Sequence, residues 1–547
     1  MKELVMKKYI CSILIASLVL SPFFAQSENQ EQSQIELPDL TTVISGDGST
    51  EEAAPAPDFD DVLVLTYDSG NLTPVLPGEG QNDDSNVLEA GGTSSDKDIY
   101  ADGQIGGGYP ASFTGDFKIS RIYGSDPFKI SFNHNSTTGF AGHELAQGYK
   151  ETNSAIGVEK DFIRSNIEWG LKAFYKDGGD GLQSKVDGLS SVNQDRVGLS
   201  AYYTHALPKG FGLNFVLDSQ FYYRFVDITK GAVTATEVPE WIKKFSSITV
   251  DPALAVTWKY NGFETGFDAA YSLEAWDKTV HRGQFDLSFA WSNENLKIST
   301  KAGIVTGNSL GEHKVIVPFN LGLDTALPVY FSDRKLELSL NGGLASNRNS
   351  VSELEQKYKF TAMNDFASEN SFWYGNIKLL IPLKTTFTGN VSAGYSRTVL
   401  NNGVWTPVYL PQGLHSGLYG FEQMNRNELY TDFAFTWKYK IFATTASYRA
   451  NWLEVPLLEY KHSFSVNFSL QSQKGIWGAD LKTTFHLDAI DKKPVIDMEG
   501  YMQVSPAVRI CLSVDDLLKL LGAEERTYAG QYAANCGNAA LLVKFLF

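Results

Sequence analysis

"FGLNFVLDSQFYYRF", residues 211–225, alternates with a period of two. Phe211, Leu213, Phe215, Leu217, Phe221, Tyr223 and Phe225 share one face. Asn214, Asp218, Gln220 and Arg224 share the other. Period two is the signature of a strand. The stretch is far longer than the roughly 5–6 residues of an ordinary globular strand. A strand apolar on one side and this long suits a layer that must be crossed, for which about 9–11 residues are needed.

The rest of the chain from Tyr100 onward has the same texture. Ile167, Trp169, Leu171, Ala173 and Tyr175 alternate with polar or small residues. So do Val250, Leu254, Val256, Trp258 and Tyr260, and again Leu429, Thr431, Phe433, Phe435, Trp437 and Tyr439. Trp and Tyr recur near strand ends on the apolar face, where a membrane interface places them. Tight turns ("IRS" 163–165, "LPKG" 207–210, "YNG" 260–262, "NEN" 293–295, "LKTT" 383–386, "YK" 439–440, "QKG" 473–475) alternate with longer loops at 135–153, 177–194, 226–245, 346–370 and 397–426. Short turns on one side and long loops on the other mark a transmembrane antiparallel β-barrel of the outer-membrane kind. No helical periodicity competes. In hydrocarbon a sheet satisfies its backbone only by closing. Counting alternations gives an all-β barrel of about 22 strands, or 20 if two readings fail. The disputed stretch, 489–514, reads as two strands separated at "VSPA". "AALLVKFLF" (539–547), with Val543, Phe545 and Phe547 on one face, is the expected closing strand.

Three segments follow. Residues 1–26 have the layout of a secretory signal peptide: Lys7 and Lys8, an apolar run from Tyr9 to Leu20, then Ala25. Residues 27–99 hold seventeen Asp or Glu against one Lys, nearly all of the net charge of −17. Rich in Ser, Gln, Gly and Pro, they are expected to form a mostly disordered periplasmic arm. Residues 100–547 form the barrel, and the expected location is the outer membrane of a Gram-negative cell. Cys511 and Cys536 are close enough in the chain to pair or to stay free.

Chemistry is sparse. The eight His are scattered, and no H-E-x-x-H, G-x-S-x-G or phosphate-loop motif occurs. An enzyme, a cofactor and nucleic-acid binding are not expected. Asp177 and Asp180 in "DGGDG", read as an outer loop, offer oxygen ligands to a hard cation, but the glycines suit a plain turn better, so no metal site is predicted. Glu264, Asp268, Asp286, Lys297, Lys301 and Glu337 fall on inward positions, where a water-filled lumen tolerates charge and lipid does not. They either tune solute selectivity or merely solvate the wall. Trp405, Tyr409, Tyr419 and Phe421 make the loop 397–426 too apolar for free solvation. Packing on other loops is its first reading, and a constriction or ligand contact its second.

The segment "PAVRICLSVDDLLKLLGAEERTYAGQY…LLVKFLF" resembles the end of the TonB-dependent receptor barrel, with Val514, Asp516, Leu517, Leu518 and Tyr528 at matching places. "YADGQIGGGYPASFTGDFKIS" (100–120) is similar to a first hairpin of plugless relatives. The resemblance implies outer-membrane lipid and the barrel-assembly machinery as partners, the latter reading Val543, Phe545 and Phe547. Those receptors also carry a plug domain, for which only the arm is available here. Asp61, Val62, Leu63, Val64 and Thr66 resemble the box that a periplasmic energy-coupling protein takes up as an added strand. The expected function is passage or uptake of small solutes. The alternatives are a surface structural or adhesive barrel, and energised uptake with the lumen plugged by the arm or by a partner protein.

Overall fold

The computed structural model describes residues 99–547 except 123, 187, 230–237, 332–333, 364–368, 385, 400–402, 410–416, 456–459, 488–492, 524–525, 529–530 and 547. The expected signal peptide, the arm up to residue 98 with Asp61, Val62, Leu63, Val64 and Thr66, and Phe547 lie outside the described residues.

Among the described residues, 22 strands form the wall. The first eight are β1 (Tyr100–Tyr109), β2 (Ser112–Arg121), β3 (Phe128–Thr138), β4 (Lys150–Arg164), β5 (Ile167–Gly181), β6 (Leu189–Ala206), β7 (Phe211–Ile228) and β8 (Lys244–Tyr260). Next come β9 (Phe263–Ala275), β10 (Thr279–Ser292), β11 (Leu296–Gly307), β12 (Phe319–Phe331), β13 (Arg334–Asn347), β14 (Asn370–Lys384) and β15 (Phe387–Thr398). The last are β16 (Asn427–Tyr439), β17 (Phe442–Asn451), β18 (His462–Gln471), β19 (Trp477–His486), β20 (Val495–Ser505), β21 (Val508–Asp515) and β22 (Asn538–Leu546). Each pairs antiparallel with the next, and β22 pairs with β1 from Ala539↔Tyr109 to Leu546↔Asp102. The sheet is therefore closed, and no edge is left for hydrocarbon to meet. The disputed stretch is two strands, β20 and β21.

The outer wall is apolar and bare. On β10, Phe285, Leu287 and Phe289 are 52%, 65% and 41% exposed, whereas the intervening Asp286 is buried. Such a surface suits lipid rather than water. Beside the short turns the aromatics stack in pairs, Trp258 on Tyr260 at 5.9 Å and Trp437 on Tyr439 at 6.2 Å. The Asn261–Gly262 turn has φ of 45° and 79°, the two positive values a tight hairpin needs. On the inner wall, Tyr rings lie over glycines directly across the ladder. A Cβ at Gly394 would sit 2.3 Å from the Tyr430 ring, and one at Gly478 would sit 2.4 Å from Tyr501.

Two expectations need correction. Two loops, 177–194 and 226–245, are shorter than expected, because β5, β6, β7 and β8 run 15, 18, 18 and 17 residues, well past the span a membrane requires. Asp177 and Asp180 consequently lie on β5 and not in a loop. Helix is also present: α1 (Val351–Lys357) lies between β13 and β14, and single turns form at Glu240–Lys243 and Leu517–Leu520. Ser350 caps α1 by accepting from the Glu353 amide, and Glu353 returns the bond to Ser350, a full capping box.

Candidate functional site: a charged lumen beneath a packed mouth

The register brings three of the six expected lumen residues together. Asp268 on β9 and Asp286 on β10 stand directly opposite, two like charges that would repel. Lys301 on β11 bridges them, with Nζ 3.1 Å from Asp268 and 3.2 Å from Asp286. Gly303, across from Asp286, leaves room for that carboxylate, since a Cβ there would sit 1.8 Å from Oδ1. Glu264 pairs instead with Lys259 at 3.1 Å, nearer the short turns. Lys297 stands across from Asp324, and Glu337 across from Ala326, elsewhere on the wall.

The long-loop end is built differently. Leu182, Val186, Leu189, Val226, Ile242, Phe360, Leu418, Tyr419 and Tyr532 belong to one buried core. These residues come from β5–β6, β7–β8, β13–β14, β15–β16 and β21–β22, five hairpins spaced around the ring. Segments so distributed can share a core only by reaching across the mouth. Phe360 stacks on Tyr532 with centroids 3.7 Å apart, and Tyr532 donates to the Gly417 carbonyl. Gln183 both donates to the Ala533 carbonyl (2.9 Å) and accepts from its amide (2.7 Å). Lys359 pairs with Glu151 at 2.5 Å and reaches Asp180 at 3.8 Å. Burial disfavours the ammonium charge, yet the Asp180 and Glu151 carboxylates outweigh that and hold the Lys359 pKa above its ordinary value. Asp180 is thus engaged by a lysine, and among the described residues no acidic, His or Cys group is arranged to hold a metal.

A second core joins Tyr222, Phe245, Val351, Leu354, Tyr358 and Met363, with Trp405 and Phe421 against it. It seats α1 on the inward faces of β7 and β8. Around it lie buried charges. Glu355 accepts from the Tyr222 hydroxyl (2.6 Å) and the Met363 amide (2.7 Å) and lies 3.4 Å from Arg224 Nε, with both charged side chains fully buried. Burial pushes the Glu355 carboxyl up, and the neighbouring Arg224 guanidinium and Tyr222 hydroxyl pull it back only in part. Arg348 holds Asp251 at 2.6 Å and Glu274 at 3.7 Å. Glu369 takes Arg282 at 2.9 Å and the hydroxyls of Ser309 (2.6 Å) and Ser346 (2.7 Å).

Within the aromatic loop 397–426, Val404–Tyr409 pairs antiparallel with Tyr419–Met424. Trp405, Tyr419 and Phe421 pack on other loops, and the Tyr409 backbone pairs with Tyr419. Val543 and Phe545 lie on β22, opposite Ile105 and Gly103 of β1. Asp516 caps the Leu517–Leu520 turn and pairs with Arg526 at 2.5 Å. Cys511 and Cys536 are both free. Sequence reading missed Tyr222, Glu355 and Arg348 altogether, and named Arg224 only as part of a polar face. The capping box at Ser350–Glu353 was the one local signal for α1.

Closed ring, lipid-facing belt and polar lumen define a wide membrane-spanning barrel of the outer-membrane class. No protein-family model matches the sequence, and no curated protein does. Solved structures do. The FrpB iron transporter from Neisseria meningitidis superposes with a TM-score of 0.61 at 8% identity, over 83% of this chain and 82% of its own. The copper transporter OprC gives 0.58 at 11% identity, over 82% and 80%. The siderophore receptor PirA from Acinetobacter baumannii gives 0.59 at 7% identity, over 82% and 80%. These are barrels of the TonB-dependent receptor kind that the sequence resembles. At such identities the likeness carries the fold.

Proposed function

We propose that this barrel takes small solutes across the outer membrane through a lumen whose outer mouth is closed at rest by its own loops. The observation that supports this most is the pairing of a charged, water-compatible inner wall, with Lys301 between Asp268 and Asp286, and a mouth core drawn from five hairpins. A barrel this wide would leak if permanently open, and 22-stranded transporters have filled lumens. The solved structures it resembles are an iron transporter, a copper transporter and a siderophore receptor. In an energised version, Asp61, Val62, Leu63, Val64 and Thr66 would engage a periplasmic coupling protein and the arm 27–99 would share in filling the lumen. Val543, Phe545 and Phe547 are the residues proposed for the assembly machinery.

A loop-shortened barrel tests the passage. Asn347 and Asn370 pair across the hairpin, so a four-residue turn can replace residues 348–369 without moving β13 or β14. In a planar bilayer this variant is expected to conduct steadily, and Lys301→Glu within it to shift the current toward cations. A folded, loop-shortened barrel that carries no current would overturn the reading. It would leave the surface-adhesive alternative, which the packed mouth also suits.

A further inference from the structure

Building on that solute-passage reading, we infer that α1 and its flanks, residues 348–360, are a stopper held on the inner wall by charge pairs of both polarities, Arg348 and Lys359 to wall carboxylates and Glu355 to Arg224, and released as a unit. Its place in the ring is the first argument. The segment leaves the wall between strands 13 and 14 of the 22, yet its wall partners stand on β4 to β9. Gln194 of β6 donates to the Glu355 carbonyl (3.1 Å), Arg196 of β6 to Gln356, and Gln220 of β7 to Ser352 (3.1 Å). Glu274 of β9 accepts from the Val351 amide (3.2 Å). Gln194 and Arg196 stand directly across the ladder from Arg224 and Tyr222, which alternate with Phe221, Tyr223 and Phe225 and so point inward. The segment crosses the interior of the ring instead of folding back on its own hairpin.

The chemistry of the contact is the second argument. The stopper contributes a cation, Arg348, to the wall's Asp251 and Glu274, and an anion, Glu355, to the wall's Arg224 and Tyr222. A swapped pair fixes one seating and rejects others. Buried ion pairs add little net stability, yet they fail sharply when one partner is lost. A permanent seam would be served better by apolar packing.

The third argument is the residual cost of the docked state. Arg224 is fully buried, and among the described residues its Nη1 has no hydrogen-bond partner; Trp276 Nε1, beside the same core, has none among them either. Buried donors left unsatisfied are costly and regain water on exposure. At the far end of the segment, Phe360 holds φ of 59°, a region an aromatic residue rarely enters. Release would relieve both.

The test is single-channel recording of the full-length protein, with heat-modifiable gel migration as the folding check. Wild type should be mostly closed. Arg348→Glu, which faces Asp251 and Glu274, should raise open probability by roughly a hundredfold, as loss of a buried partner implies, and Glu355→Gln should act in the same direction. Adding Asp251→Arg to Arg348→Glu should restore closure in part. Single variants that stay as silent as wild type, while the loop-shortened barrel conducts, would sink the stopper. Wild type conducting as freely as the loop-shortened barrel would sink it too. Silence of the loop-shortened barrel itself would strike the passage reading instead.

Discussion

The wall and the mouth bury apolar surface by opposite means. Along the wall, side chains such as Leu287 and Phe285 stay more than half uncovered by protein, and lipid covers them. At the mouth, Leu182, Leu418 and Tyr532 are wholly covered by other loops. Charge is reversed as well. The wall leaves Lys301 and Glu264 about half exposed to the lumen, while the mouth encloses Arg224, Glu355 and Glu369 completely. The wall is thus held together by its ladder and its solvent. The mouth is an ordinary protein interior assembled on top of it. One can be disturbed without the other only if the two are energetically separate.

The largest expected effect tests that separation from the mouth. Glu369→Ala strands Arg282 and two hydroxyls, and should cost the mouth about 3–5 kcal/mol, the usual consequence of an uncompensated buried charge. Limited proteolysis of the long loops should speed up while gel migration of the barrel stays unchanged. Collapse of the barrel as well would break the distinction. From the other side, Leu287→Arg places a cation in lipid and should cost the barrel about 2–4 kcal/mol near the bilayer midplane. Urea unfolding in vesicles would read this, and loop protection should fall only as the barrel does. Least affected should be Lys259→Ala. Its pair with Glu264 is exposed to the lumen, and such pairs contribute about 0–1 kcal/mol. An unchanged unfolding midpoint is expected, and a large drop would mean that lumen charges hold the wall together.

The same division decides what could be read from the sequence. Lipid imposes one rule on every spanning residue, so alternation runs along β7 and β16, and the strand number and the closure were legible. Legibility failed where lipid ends. The upper parts of β5 and β6 stand beyond the membrane with no apolar face to keep, and "DGGDG" reads as a turn although it continues a strand. It failed altogether for the mouth, whose contacts are set by distant segments. Nothing local to Tyr222 announces Glu355, more than a hundred residues away, and an aromatic such as Tyr532 carries no mark of Phe360. Trp405, Tyr419 and Phe421 were legible as too apolar for solvent, but their neighbours were not.

The bonds between Gln183 and Ala533 join residues 350 positions apart. Ala533 is delivered over the mouth only when β21 and β22 have taken their places beside β1. If the lumen passes solutes as proposed, a copy in which that hairpin is not yet seated lacks this part of its cap. On that reading, biogenesis would itself be a moment of leakiness, lasting as long as the five hairpins take to find one another.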